Sequence, residues 1–342
     1  MEYQGKYPFF PFDKITTYPI KERKNKVKQE DLYFPDRVMD MKPEFEHPDL
    51  DTIADAIVEA RTKNQPVIWL MGAHPIKAGM SPLIIDLMQR GISTLLCGNF
   101  ASAIHDFEIA LIGETSEVVP NALPRGEFGM SRETGIYIND AIKWGNERKL
   151  GLGETLGRVI AGEASNELDM EFPFKHESYL AQGYLKNIPV TIHATMGTDI
   201  TDQHPNFDGE SKGGCSGRDF GVFAGHIRKF NERGGGCYLN VGSAVTGPEV
   251  ILKAVSMAAN IGEPPMNLIT ADFDIRPANL DHMTNEHKHS YYYRDVKSVV
   301  TRIPDSFEGK GHYIQGDFFQ AIPALYQKIR ERMGDTDFGP LG

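Results

Sequence analysis

The segment from Pro66 to Glu117 constrains the fold more than any other. An apolar run, Val67 to Met71, stops at Gly72. A helix is predicted next, with Ser81 and Pro82 at its N-cap and first turn and Leu83, Ile84, Leu87 and Met88 on one face. A second apolar run, Ile92 to Cys97, ends in the small and polar residues Gly98-Asn99-Phe100-Ala101-Ser102. Strand, helix, strand with a ligand-sized loop after each strand is the unit of a parallel sheet. In such sheets ligands bind beyond the carboxyl ends of the strands.

The rest of the chain repeats this grammar. Leu50, Ile53, Ala54, Ile57 and Val58 are spaced for a helix from Asp49 to about Asn64. Ala103 to Ile112 reads as a helix stopped by Gly113. Glu114 to Gly135 reads as irregular, and Tyr137–Trp144 and Gly153–Ile160 as helices. Ile188–Ala194, Cys237–Val241 and Leu268–Ala271 are three further strands. The glycine-rich stretch Gly209–Arg218 reads as a loop before a helix over Asp219–Glu232. Pro248 opens a helix that runs to Ala259, Val296–Arg302 reads as a strand, and Phe318–Met333 as the last helix. Five strands alternating with helices predict an α/β fold with a doubly wound, mainly parallel Rossmann-like sheet. Residues 1–45, rich in aromatics, proline and charge, read as an extended N-terminal arm. Residues 46–342 read as one domain with a helical insertion around 114–180.

Bulk properties narrow the function. A net charge of −11 over 342 residues disfavours a nucleic-acid binder, which needs a basic face. No apolar run approaches the ~18 residues of a membrane span, and the N-terminus has no signal-peptide pattern. The three cysteines have no paired spacing, so a reducing, cytoplasmic setting is expected. Cys97 and Cys237 fall inside apolar strands, whereas Cys215 is the one expected to be exposed.

Candidate site residues collect at the strand ends. Gly72 and His74 follow the first strand, Gly98 and Asn99 the second, and Asp199 the third. Gly242 and Ser243 follow the fourth; Thr270, Asp272 and Asp274 belong to the fifth. Glycine admits a close ligand, backbone N–H groups at a helix start suit phosphate, and strand-end carboxylates suit ribose. These features point to a nucleotide or dinucleotide, though any one such loop is also ordinary turn chemistry. No GxGxxG or Walker loop is present. His105 and Glu108, three apart on a helix face, are candidates for proton transfer. His193, Asp199, Asp202 and His204, like His282, His287 and His289, lack a recognised metal-ligand spacing; no metal ligands are assigned, and a metal-dependent hydrolase is an alternative reading.

In motif order and spacing, residues 50 to 275 resemble the deoxyhypusine synthase family. Asn99 to Glu108 is similar to that family's small-residue loop followed by acidic residues. Ser178 to Val190 is similar to its helix leading into an Ile-Pro-Val strand, and Gly197-Thr198-Asp199 to the loop beyond. Gly242-Ser243-Ala244 stands where the family has a glycine triplet, and Thr270 to Asp274 where it has a Thr-Ala pair with acidic residues. The resemblance implies a Rossmann-like subunit, a homotetramer, and NAD at the strand ends near a subunit interface. It also implies chemistry on a small amine or polyamine-like metabolite through a lysine imine. Two departures stand out. Gly247-Pro248-Glu249 replaces the family's histidine, and Glu286-His287-Lys288 lacks the tryptophan of its lysine motif. Lys288 is therefore either the imine-forming lysine or one charge in a solvated loop. A ligand-binding or assembly protein without catalysis is a further alternative.

Overall fold

Val67–Met71 (β2) is apolar at every position and buried at every position, as a strand covered on both faces must be. Its neighbours follow from the same pattern. The computed structural model describes residues 3–42 and 44–341, and within them β2 lies at the centre of a six-stranded sheet. The other members are Leu95–Asn99 (β3), Val190–His193 (β5), Gly236–Val241 (β6), Leu268–Asp274 (β7) and Lys310–Gln315 (β8). Their order is β5-β3-β2-β6-β7-β8, and every adjacent pair is parallel. The α/β, doubly wound Rossmann-like reading is correct.

Successive side chains point to opposite faces, which builds two cores. Val67, Trp69, Met71, Leu96, Leu239 and Val241 belong to the core shared with the Pro48–Thr62, Ser81–Gln89, Phe100–Ile112 and Phe318–Met333 helices. Ile68, Leu70, Leu95, Cys97 and Tyr238 pack with the Gly209–Arg233 and Thr246–Asn260 helices. Between β3 and β5 the chain forms helices at Arg132–Glu147, Leu152–Ala161 and Tyr179–Leu185.

Four expectations need correction. Gly209–Arg218 is not a loop but the first part of a 25-residue helix. Ser211, Cys215, Asp219, Phe223, Ile227 and Phe230 form a buried stripe along it, and Asp208 caps its start by accepting from the Ser211 N–H at 3.1 Å. Burial of that stripe and the cap outweigh the helix cost of glycine, about 0.5–1 kcal/mol each. Val296–Arg302 is not a strand but a π-helical turn. Val296, Val299 and Val300 are buried, and β8 occupies the sheet position beside β7. The Thr270 hydroxyl, donating to the Val299 carbonyl at 2.5 Å, ties this turn to β7. Glu114 to Gly135 is not wholly irregular: Glu114–Glu117 (β4) pairs antiparallel with Asn25–Lys28 (β1), Val27 opposite Thr115, and a helix begins at Arg132. Cys215 is 0% exposed, facing inward on the helix, and burial raises its thiol pKa. Cys97 and Cys237 are also buried, and burial pushes the Cys237 thiol up to about 12.

Candidate functional site

Counting the six parallel strands in chain order, they stand third, second, first, fourth, fifth, sixth across the sheet. This order places a topological switch between β2 and β6, from which the chain winds outward in both directions. A crevice beyond the carboxyl ends at such a switch is where doubly wound sheets take ligands. Here the two connections nearly touch. The Gly72 N–H donates to the Val241 carbonyl at 2.9 Å, and a Cβ on Gly72 would lie 2.0 Å from the Gly242 oxygen. Gly242 is left-handed at φ 66°, and the Phe318 ring covers it. The following loop, through the exposed Ala244 and Val245, leads into the N-terminus of the Thr246–Asn260 helix.

His74 lies just beyond the carboxyl end of β2, its ring 6.0 Å from that of Phe318. Burial lowers its pKa, Lys77 adds to the effect, and the carboxylates of Asp274 and Asp317 oppose it. Beside it, β7 delivers Asp272 and Asp274 to one face. Asp272 is fully buried and accepts from the Asn240 amide at 2.6 Å; its other oxygen has no partner. Burial, reinforced by Asp295, raises the Asp272 pKa far above the usual carboxylate range. Burial also raises Asp295, to about 6, although Arg276 opposes it. Asp274 goes the other way: burial is outweighed by hydrogen bonds and charge from Arg276, whose backbone N–H donates at 2.8 Å. Ser243 is buried, its hydroxyl accepting from the Gly247 N–H at 2.8 Å. Thr270 is spent on Val299. These two hydroxyls fix the backbone around the switch.

A second hollow of about 240 Å³ lies over the ends of β3 and β5, and His105, Glu108 and Asp199 all line it. Asn99 does not offer its amide to a ligand; it caps the Phe100–Ile112 helix, accepting from the Ser102 N–H at 3.0 Å. Gly98 leaves room for the Ser102 hydroxyl, which a Cβ would meet at 2.2 Å. Glu108 is buried and accepts from Arg23 at 2.7 Å, Thr134 at 2.7 Å and Thr115 at 2.6 Å. Burial would raise its pKa, but the Arg23 charge and hydrogen bond dominate and hold it low. Thr115 gives its proton to Glu108, so it accepts from His105 Nδ1 at 2.7 Å. That assignment puts the proton of neutral His105 on Nδ1 and leaves Nε2 as an acceptor. Burial lowers the His105 pKa to about 4, helped by Lys77, Arg23 and His74 and opposed by Glu108.

Asp199 receives the ammonium of Lys212 at 2.8 Å, and Asp202 receives it at 2.5 Å. Lys212 is 1% exposed and also lies 4.4 Å from the centroid of Phe100. It was missed in the sequence because its helix was read as a loop. Arg23, Asp295 and Arg276 were missed because their partners are distant in sequence or are themselves buried charges. Lys288 stands apart, exposed at the start of the His289–Tyr292 turn and outside this hollow. Among the described residues, no group of three or more His, Cys, Asp or Glu side chains could hold a metal ion. No helix there is long and apolar enough to cross a membrane.

Neither a protein-family model nor a curated protein matches this chain. Solved structures do resemble it. One is AgrE, in its ternary complex with ornithine and NAD+, at TM-score 0.49 and 14% identity over 88% of this chain and 34% of AgrE. A conserved putative LOR/SDH protein from Methanococcus maripaludis S2 has TM-score 0.47 and 16% identity over 85% of this chain and 74% of that one. A putative deoxyhypusine synthase from Entamoeba histolytica has TM-score 0.40 and 10% identity over 96% of this chain and all of that one. The chain spans about a third of the length of AgrE.

Proposed function

We propose that the protein is an NAD-linked enzyme of deoxyhypusine synthase-like type, acting on a small amine or polyamine-like metabolite. The observation that carries this reading is the switch between β2 and β6, flanked by Gly72 and Gly242 and opening on an exposed loop into a helix N-terminus. The residues fit a dinucleotide. Gly242 makes the left-handed turn into the loop, the Thr246–Asn260 helix start suits a pyrophosphate, and Asp274 at the end of β7 suits a ribose. Bound there, NAD would supply a hydride acceptor. His74, just beyond the end of β2, would help to orient the ligand. His105 would accept a proton at Nε2, held in its tautomer by Thr115 and Glu108. Glu108 is a positioning residue in this scheme, since its oxygens are already bonded.

The test is a thermal-shift titration with NAD, NADH, NADP and ADP-ribose, followed by a polyamine and amine turnover screen. NAD at 100 times its dissociation constant adds about 2.7 kcal/mol of stability. Ala244→Asp, which puts a carboxylate in the exposed loop at the helix start, abolishes that shift without lowering the unliganded midpoint. No shift of the native protein with any of the four nucleotides would overturn the proposal. The same reading expects a homotetramer, which sedimentation would count directly.

A further inference from the structure

We infer that the hollow beside the start of the Phe100–Ile112 helix is a binding site for the oxyanion of a small molecule, a carboxylate or a phosphate, held by Lys26, Lys77 and Arg23. The hollow contains His105, the proton acceptor of the proposed reaction, but the inference rests on the cations and not on the cofactor. The hollow lies over β3 and β5, whereas the dinucleotide crevice lies at β2 and β6.

The walls carry both signs of charge, but only the cations are unspent. Glu108 is filled by Arg23, Thr115 and Thr134. Glu117 accepts from the Tyr18 hydroxyl at 3.0 Å and the Gly129 N–H at 2.9 Å. Asp199 is held by Lys212. No hydrogen bond or ion pair engages the ammonium of Lys26 or of Lys77 among the described residues. Both line the hollow, close enough that Lys26 depresses the pKa of Lys77 beyond what burial alone does.

Arg23 supplies the decisive observation. Its side chain is 3% exposed; Nη1 bonds Glu108 and Nε donates to the Asn25 side-chain amide oxygen Oδ1 at 2.7 Å. Nη2 is buried and has no acceptor. A buried donor on a charged group that finds no acceptor loses its hydration without replacement. Arg23 lines the hollow, so an oxyanion seated there would meet its guanidinium and two free ammonium groups at the same time. The planar guanidinium suits such a ligand, and the lysines act as point charges around it. Neutral His105 presents an acceptor at Nε2, so the ligand would carry a hydrogen-bond donor next to its anionic group.

Calorimetric titration of the full chain with inorganic phosphate and with malonate, at matched ionic strength, tests this. The native protein is expected to bind one or both saturably. The double variant Lys26→Gln/Lys77→Gln keeps its unliganded melting temperature and binds at least about tenfold more weakly. Preference for phosphate or for malonate identifies the ligand's anionic group. Equal binding by native and variant protein, or no binding by the native protein, would overturn the inference. A parallel NAD titration separates the two sites. If the double variant loses NAD as well as the anion, a separate ligand is ruled out, and if it still binds NAD the hollow is independent.

Discussion

Arg23 and Glu108, 85 residues apart, form an ion pair of 2.7 Å with side chains only 3% and 2% exposed. It fastens the segment before β1 to the helix that follows β3. Removing one member leaves the other charge buried without a partner, which costs about 3–5 kcal/mol. Arg23→Met is therefore expected to lower stability by that order in urea unfolding. Arg23→Met with Glu108→Gln, which removes both charges, is expected to recover much of the loss. If the double variant is no more stable than the single, the pair does not hold the segment electrostatically.

His105 sets a pH dependence. Its pKa of about 4 in the folded chain lies below the ~6.5 of an unfolded histidine. The unfolded chain therefore takes up this proton first as pH falls. The stabilising contribution is complete above about pH 6.5 and is lost as pH drops through about 4. Glu108, also depressed, adds a loss of the same sign at lower pH. Nuclear magnetic resonance titration of the His105 ring should find its midpoint near 4. His105→Asn, whose amide can keep the bond to Thr115, should flatten the decline between pH 6.5 and 4. A midpoint near 6.5 would remove the basis for this expectation.

The sheet was legible because its strands are continuous apolar runs: Val67–Met71 reads the same way in sequence and in structure. Gly113 stops its helix in a left-handed C-cap, as its sequence position predicts. The failures share one cause, long-range burial overriding local preference. Gly209–Arg218 has the composition of a loop, and only packing of Cys215, Phe223 and Phe230 makes it helical. Val296–Arg302 is rich in β-branched residues, yet β8, which the sequence reading did not find, fills the adjacent strand position. In the site, the strand-end glycines and Asp274 were readable, but Thr270 and Ser243 are committed to backbone partners that no spacing rule shows. Charge pairs such as Arg23 with Glu108 join distant segments and leave no local pattern.

The glycines of the Gly209–Arg233 helix separate two roles of the same residue. Gly217, Gly221 and Gly225 recur every fourth position, and a Cβ at each would meet nothing within 4 Å. Alanine there should stabilise the protein by about 0.5–1 kcal/mol per site through helix preference alone. Gly72→Ala should do the reverse, because its Cβ would collide with the Gly242 backbone. Thermal unfolding of the four single variants checks both signs. Destabilisation by Gly221→Ala would mean that the open face is covered in solution.

Lys212 shows how much of the β5 loop rests on one side chain. Its ammonium reaches Asp199, Asp202 and the Thr195 carbonyl, the last at 3.2 Å, from within the helix that packs under the loop. Lys212→Met keeps most of the volume and the contact with Phe100 but removes the one cation that, among the described residues, pairs with these two nearly buried carboxylates. Burial already raises the Asp199 pKa against the pull of Lys212, so losing that pull should raise it further. The variant is expected to lose about 3–5 kcal/mol at neutral pH. The deficit should shrink as pH falls, because protonation of Asp199 removes part of the uncompensated charge. Urea unfolding of native and variant protein at pH 7.5 and pH 5 measures both effects. A deficit that is equal at the two values would show that Lys212 acts through packing and not through charge.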